Sequence, residues 1–221
     1  GTNEDIDKLI DEKTVVYDLK GRTLMPGLND SHYHPILNGM IGTDLDSAMV
    51  DTGFARAKDI PALLAILKEV TDSKAPGKWV SSMGFEATLL KEQRYPTLEE
   101  LDAVAPNNPL QAITCNGHNA IYNSKALEYL KVYGPEDAKK YPEGEVVVAD
   151  GKLTGEVRGH THFWLWGQVE YTEPQQRKAA MKSQKQCLEL GITSVGDMGE
   201  CDAPSYHTMQ KLCRDGEFRV R

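Results

Sequence analysis

Two pairs of histidines, each separated by one residue, are the strongest chemical features of this 221-residue chain: His32 and His34 in "NDSHYHP", His160 and His162 in "GHTHFW". Imidazole nitrogens suit zinc and other first-row divalent ions. If the first stretch is extended, His32 and His34 project to one side, because strand side chains repeat every two residues, and Asp30 lies one step along the same face. Spacing alone does not separate the two pairs. The second stands between a hairpin and the aromatic group Phe163, Trp164 and Trp166. That setting reads more as packing or a pocket wall than as a ligand set.

Three other polar residues need a reading. His118 follows the strand-like run "LQAITC", and strand ends are common addresses for substrate contacts. Its neighbours Gly117 and Asn119 are turn formers, so a histidine satisfied by backbone in a turn is the alternative. Asn123 reads as a helix cap before "SKALEYL". Glu156 reads as a solvated hairpin carboxylate.

These residues must be positioned by the elements around them. Residues 14–19 ("TVVYDL") alternate, Lys20 and Gly21 offer a turn, and "RTLMP" extends again, which predicts a hairpin or strand pair. "ILNGMIGTDL" reads as a glycine-bearing loop. Asp59 caps a predicted helix whose Ile60, Leu63, Leu64, Leu67 and Val70 share one face. "GKWVSSMGF" and "PLQAITC" read as buried strands, Thr97 to Glu100 forms a capping box, and "EVVVADGKLTGEV" is a hairpin around Asp150 and Gly151. The longest helix signal covers residues 174–190, with Gly191 as its stop, followed by the β-branched run "ITSVGDMG" and a final strand signal in "EFRVR". Strand, long helix, strand is the rhythm of parallel α/β folds.

The bulk numbers restrict the partners. With 40% hydrophobic and 26% charged residues the chain has ordinary globular composition, which excludes a disordered or fibrous class. Its net charge is −8, from 33 acidic and 25 basic residues without a basic cluster, which argues against nucleic acid. No apolar run reaches the roughly 18 residues of a membrane span. Cys115, Cys187, Cys201 and Cys213 show no C-x-x-C spacing, and free buried thiols in a reducing, cytoplasmic compartment are expected.

"GRTLMPGLNDSHYHP" resembles the first-strand motif of the amidohydrolase superfamily, in which Pro-Gly precedes Asp-x-His-x-His. The resemblance extends to the family 3 branch, which includes N-substituted formamide deformylases. It is carried in order by Trp79 with Gly84, Pro96-Thr97, Leu101-Asp102, Ala105-Pro106 and Pro109. "GHNA" with "NSKAL", "GKLTGEVRG" and "LGITSVGDMG" then follow. One departure is Gly159 after Arg158, where relatives carry an acid; Glu156 is a conceivable local substitute.

The resemblance implies an α/β fold: part of a metal-dependent-hydrolase TIM barrel, a large α+β insertion and remnants of a flanking β-sandwich. Its divisions are residues 1–28 (sandwich remnant and lead-in), 29–50 (strand end with the metal motif), 51–172 (insertion) and 173–221 (barrel helix and strands). It implies His32 and His34 as metal ligands, His118 and Trp79 at the substrate, and one or two divalent ions, zinc foremost. The partner would be a small amide-like molecule, cleaved at a C–N bond by metal-activated water; a hydrolytic deaminase is the neighbouring alternative. A complete barrel needs about 250 residues in eight β/α units. The catalytic Asp and the later ligands are not found in this sequence. The chain is therefore expected to be an N-terminal fragment, inactive by itself, and homo-oligomeric through unpaired strand edges.

Overall fold

The computed structural model describes residues 2–199 and 203–221, and its strands form two sheets. In the smaller, β1 (Leu28–Tyr33) runs parallel to β9 (Ile192–Asp197). Gly27 enters this pair against Thr193, whose Oγ1 would lie 2.1 Å from any Cβ added there, so a side chain at residue 27 would displace Thr193. Helix α7 (Glu173–Glu189) delivers the chain to β9; Thr172 and Gln175 cap its start, and Gly191 at φ +76° ends it. Beyond β9, the Val195 N–H donates to Arg221 O at 2.7 Å and the Arg221 N–H donates to Thr193 O at 3.0 Å, the alternation of a parallel ladder. Residues 217–221 ("EFRVR") form no strand, against the sequence signal, and meet β9 through these two bonds at Arg221.

The larger sheet holds seven strands in the spatial order β2 (Ile41–Gly42), β3 (Met49–Asp51), β4 (Val80–Phe85), β5 (Leu110–Thr114), β6 (Asn119–Tyr122), β8 (Lys152–Arg158) and β7 (Val146–Ala149). Pairing is parallel as far as β5 and antiparallel beyond it. One face is covered by α3 (Ile60–Asp72), capped by Asp59, and α4 (Leu98–Val104), opened by the Thr97–Glu100 capping box. Leu63, Leu67 and Leu101 pack there with Val80, Leu110, Ala112 and Ile121. The other face presents Met83, Ile113, Ala120 and Tyr122. These pack in one core with α2 (Pro35–Met40), α6 (Gly159–Trp166), α7 and α8 (Ala203–Arg214). Successive residues of the central strands thus enter different cores, which is why β4 and β5 read as continuous buried runs. The fold is mixed α/β, as expected.

Several expectations are corrected. Lys20 and Gly21 do make a turn, at φ +51° and +76°, and the Arg22 N–H donates to Leu19 O at 3.0 Å. Yet residues 14–19 and 22–26 form no strands, and Val15, Val16, Tyr17, Leu24 and Met25 are exposed. A two-stranded hairpin without a sheet or helix to cover it is marginal at best. The supposed loop after His34 is instead α2: Pro35 starts it, and Ile36, Leu37 and Met40 are buried at helical spacing. Gly39, read as a loop signal, allows α2 to touch α7, since a Cβ there would stand 1.8 Å from Ala179 O. Strand β6 was not foreseen; its four residues follow the turn at His118 too closely to read as a separate element.

Of the thiols, Cys115, Cys187 and Cys213 are free, but only Cys187 is buried; Cys201 lies outside the described residues. Among the described residues, no helix is long and apolar enough to cross a membrane.

Candidate active-site cavity

Because β1 and β9 are parallel, their C-terminal ends emerge together, and the chemistry-bearing residues follow directly. Pairing with β9 slips between Asp30 and Tyr33, where Asp30 Oδ1 accepts the His32 N–H at 3.0 Å. One oxygen of Asp30 is therefore taken by its own backbone. Tyr33 turns away from the two histidines, its hydroxyl 2.9 Å from Ser183 Oγ on α7. His34 is the N-cap residue of α2. The His32 and His34 rings stand edge to face with centroids 5.2 Å apart. Two imidazoles on one tetrahedral ion, each at about 2.0–2.1 Å, place their centroids roughly 5 Å apart, so the pair fits as two ligands.

Asp197, which closes β9, brings Oδ1 to 3.7 Å from His34 Nδ1. Burial lowers the His34 pKa, an effect opposed by Asp197 and reinforced by His32. A neutral imidazole is the form that binds metal. Among the described residues, however, no group of three or more His, Cys, Asp or Glu is arranged to hold an ion.

The histidines form one end of a cavity of about 680 Å³, within the usual range of small-molecule sites. Its other wall comes from the larger sheet and α6. The turn between β5 and β6 contributes Asn116 and His118; α6 contributes Phe163 and Trp166; α2 adds Ile36 and Met40. His118 meets the Phe163 ring edge to face at 5.8 Å, and Phe163 lies nearly parallel to Trp166 at 6.5 Å. Arg158, the N-cap residue of α6, offers no side-chain cap. The Glu145 carboxylate substitutes for it, accepting the His160 N–H at 3.2 Å, the Thr161 N–H at 2.9 Å and the Thr161 hydroxyl.

The second histidine pair divides its roles. On a helix two residues span about 200°, so the side chains diverge. His160 is exposed and His162 fully buried. His162 Nδ1 is 2.8 Å from Tyr122 Oη and Nε2 is 3.2 Å from Gly117 O. The packing reading holds for His162, and the pocket-wall reading for Phe163 and Trp166.

Burial drives the His162 pKa from 6.5 down to about 4. A lowered folded pKa means that the unfolded chain binds more protons between these values, so this contribution to stability is complete above pH 6.5 and declines as pH falls. The expected loss from this residue is about 2 kcal/mol by pH 5. Urea unfolding at pH 7 and pH 5, with His162→Gln as the comparison, measures it; equal pH dependence in both proteins contradicts it.

Trp79 stands apart from this cavity, and the reading of Glu156 is corrected. Trp79 precedes β4 and packs against Tyr129 at 5.2 Å, and it does not line the cavity. Glu156 is buried rather than solvated; it holds Arg158 through two contacts of 2.7 and 2.9 Å and accepts from Asn119 Nδ2 at 3.0 Å. The strand pairing of Asn119 with Arg158 and of Ile121 with Glu156 brings these groups together. Asp197 and Asn116 were not singled out from the sequence. The available signal for Asp197 was a carboxylate closing a strand in "ITSVGD", in parallel with the histidines closing β1.

The profile of the amidohydrolase family matches residues 15–221. An N-substituted formamide deformylase from Arthrobacter pascens is 30% identical over 193 residues, covering 82% of this chain and 33% of that protein. The LONG AFTER FAR-RED 3 protein of Arabidopsis thaliana is 26% identical over 193 residues, covering 86% of this chain and 31% of that protein. The chain thus spans about a third of the length of these curated relatives. In structure it is similar to an uncharacterized metal-dependent hydrolase from Pyrococcus horikoshii OT3, with TM-score 0.61 and 24% identity over 99% of this chain and 39% of that one.

Proposed function

The chain belongs to the amidohydrolase family, and from that membership we propose that it carries part of the active site of a metal-dependent hydrolase acting on the C–N bond of a small amide-like substrate. The observation that carries this reading is the placing of His32 and His34 at the end of β1, at two-ligand separation, facing the cavity. The parallel β1–β9 pair, with Arg221 beside β9, supports these strands as the start of a β/α barrel whose strand ends carry the chemistry.

His32 and His34 would hold a divalent ion, zinc by the character of the donors. When bound, the ion supplies Lewis acidity to a water and to an amide carbonyl. The protein's own residues do the rest. Asp197 beside His34 Nδ1 favours one ring orientation, as carboxylates near ligating histidines commonly do. His118 and Asn116 offer polar contacts to the amide group. Phe163, Trp166 and Ile36 exclude water around its substituent. The absence of a third ligand among the described residues supports a second part of the proposal: this chain alone does not turn substrate over. It also leaves a non-catalytic binding or assembly role as the competing reading.

Metal titration of the purified chain tests the proposal. Zinc is expected to bind at one site per chain, and His32→Ala with His34→Ala together should weaken it at least tenfold, with no hydrolysis of simple formamides by either protein. Unchanged zinc affinity in the double variant would remove the metal reading. Clear zinc-dependent hydrolysis by the 221-residue chain would remove the claim of inactivity.

A further inference from the structure

We propose that His162 is a positioning residue of the cavity: it clamps the turn that carries His118, so that this imidazole is held against Phe163 and faces His32 and His34. The inference rests on the reading of His118 as a substrate contact.

Both ring nitrogens of His162 are engaged, and their partners fix the proton. Gly117 O can only accept, so Nε2 carries the hydrogen and donates at 3.2 Å. Nδ1 is then a bare acceptor for the Tyr122 hydroxyl, 2.8 Å away. The opposite tautomer would set an Nε2 lone pair against the Gly117 carbonyl and turn the Tyr122 hydroxyl toward its second acceptor, His162 O at 3.4 Å. His162 and Tyr122 are both fully buried, so water cannot replace a lost partner.

The clamp acts on the residue next to His118. Within the turn, Asn116 Oδ1 accepts the His118 N–H at 2.7 Å and the Thr114 hydroxyl at 3.1 Å, which shapes the turn without fixing it to α6. Gly117 holds φ +73°, and the Gly159 N–H donates to His118 O at 3.2 Å. The His162 bond adds a side-chain anchor from inside α6. The neighbouring Phe163 meets the His118 ring, and Trp166, one turn further on, packs on His162 at 5.6 Å. One helix therefore supplies the anchor, the ring contact and the stack. Its fully buried histidine serves the cavity without touching it.

Nitrogen-15 NMR of the histidine-labelled chain tests this. In the unsubstituted protein, His162 is expected to show the Nε2–H neutral tautomer at pH 7. In His162→Phe, the His118 ring signals should shift or broaden, and exchange of the His118 amide should accelerate about tenfold. His162→Gln, which keeps an N–H able to reach Gly117 O, should restore the His118 signals, a rescue that mere filling of space would not give. Should His162→Phe not fold, Tyr122→Phe removes a single hydroxyl, and because Gly117 O still accepts from Nε2–H the tautomer is expected to stay the same. An Nδ1–H tautomer in the unsubstituted protein or in Tyr122→Phe, or unaltered His118 signals in folded His162→Phe, each overturn the clamp. Titration of the unsubstituted chain with N-butylformamide separates the two claims: silent His118 signals there refute the substrate contact while leaving the clamp to the variants.

Discussion

Asn123→Ala is expected to lower the stability of the chain by about 4 kcal/mol, the sum of lost capping and several stranded backbone groups. Asn123 is fully buried, and its amide serves four partners. Its Oδ1 accepts the Leu110 N–H at 2.9 Å and the Ala126 N–H at 3.0 Å. Its Nδ2 donates to Ala105 O and Asn108 O, both at 2.9 Å. One side chain thereby joins the end of α4, the start of β5 and the cap of α5 (Ser124–Leu127). Alanine removes every one of these bonds where water has no access, and each stranded group costs about 1–3 kcal/mol before local relaxation. Urea denaturation measures the loss, with Asn107→Ala on the exposed neighbouring loop as a control expected within about 0.5 kcal/mol of the parent. A loss below about 1 kcal/mol at Asn123 would show that the region rearranges, contrary to the network described.

Gly39→Ala is expected to cost about 3 kcal/mol or more, at the upper end of overpacking effects. The added methyl would stand 1.8 Å from the carbonyl oxygen of Ala179 and 2.3 Å from its carbon. These are backbone atoms, so no rotamer change relieves the overlap and α2 must move off α7. Shortening the partner in Ala179→Gly should not rescue the variant, because the obstructing oxygen remains. The consequence reaches the cavity, since α2 begins immediately after His34. Zinc affinity is therefore expected to fall together with stability, by tenfold or more. Thermal unfolding and zinc titration of the same preparation check both parts, and full zinc affinity in a destabilised Gly39→Ala would separate the helix crossing from the site.

Both residues lay in segments that the sequence allowed to be read, with different success. Asn123 was legible as a cap, because a helix start leaves unpaired N–H groups that a short polar side chain satisfies locally. Its two bonds to Ala105 and Asn108 were not, because they join segments that only folding brings together. Gly39 was misread outright: in sequence a glycine signals a turn, and here it marks a helix contact. The same limit explains Glu156, which looks solvated in a hairpin until strand pairing places Asn119 and Arg158 beside it.

The sequence by itself determined the local features: the caps of α3, α4, α5 and α7, the turn at Lys20 and Gly21, and the buried central strands. These depend on backbone geometry and side-chain period, which act over a few residues. The ordered motifs also marked the family. Tertiary structure alone decided which residues share the cavity. It brought Asp197 to His34 through parallel pairing of strands far apart in sequence, set Phe163 and Trp166 in the same cavity, and left Trp79 outside its lining. It also divided two identical histidine spacings into different roles: His160 and His162 both lie on α6, where a two-residue step turns the side chains to different faces, whereas His32 and His34 stand where β1 gives way to α2.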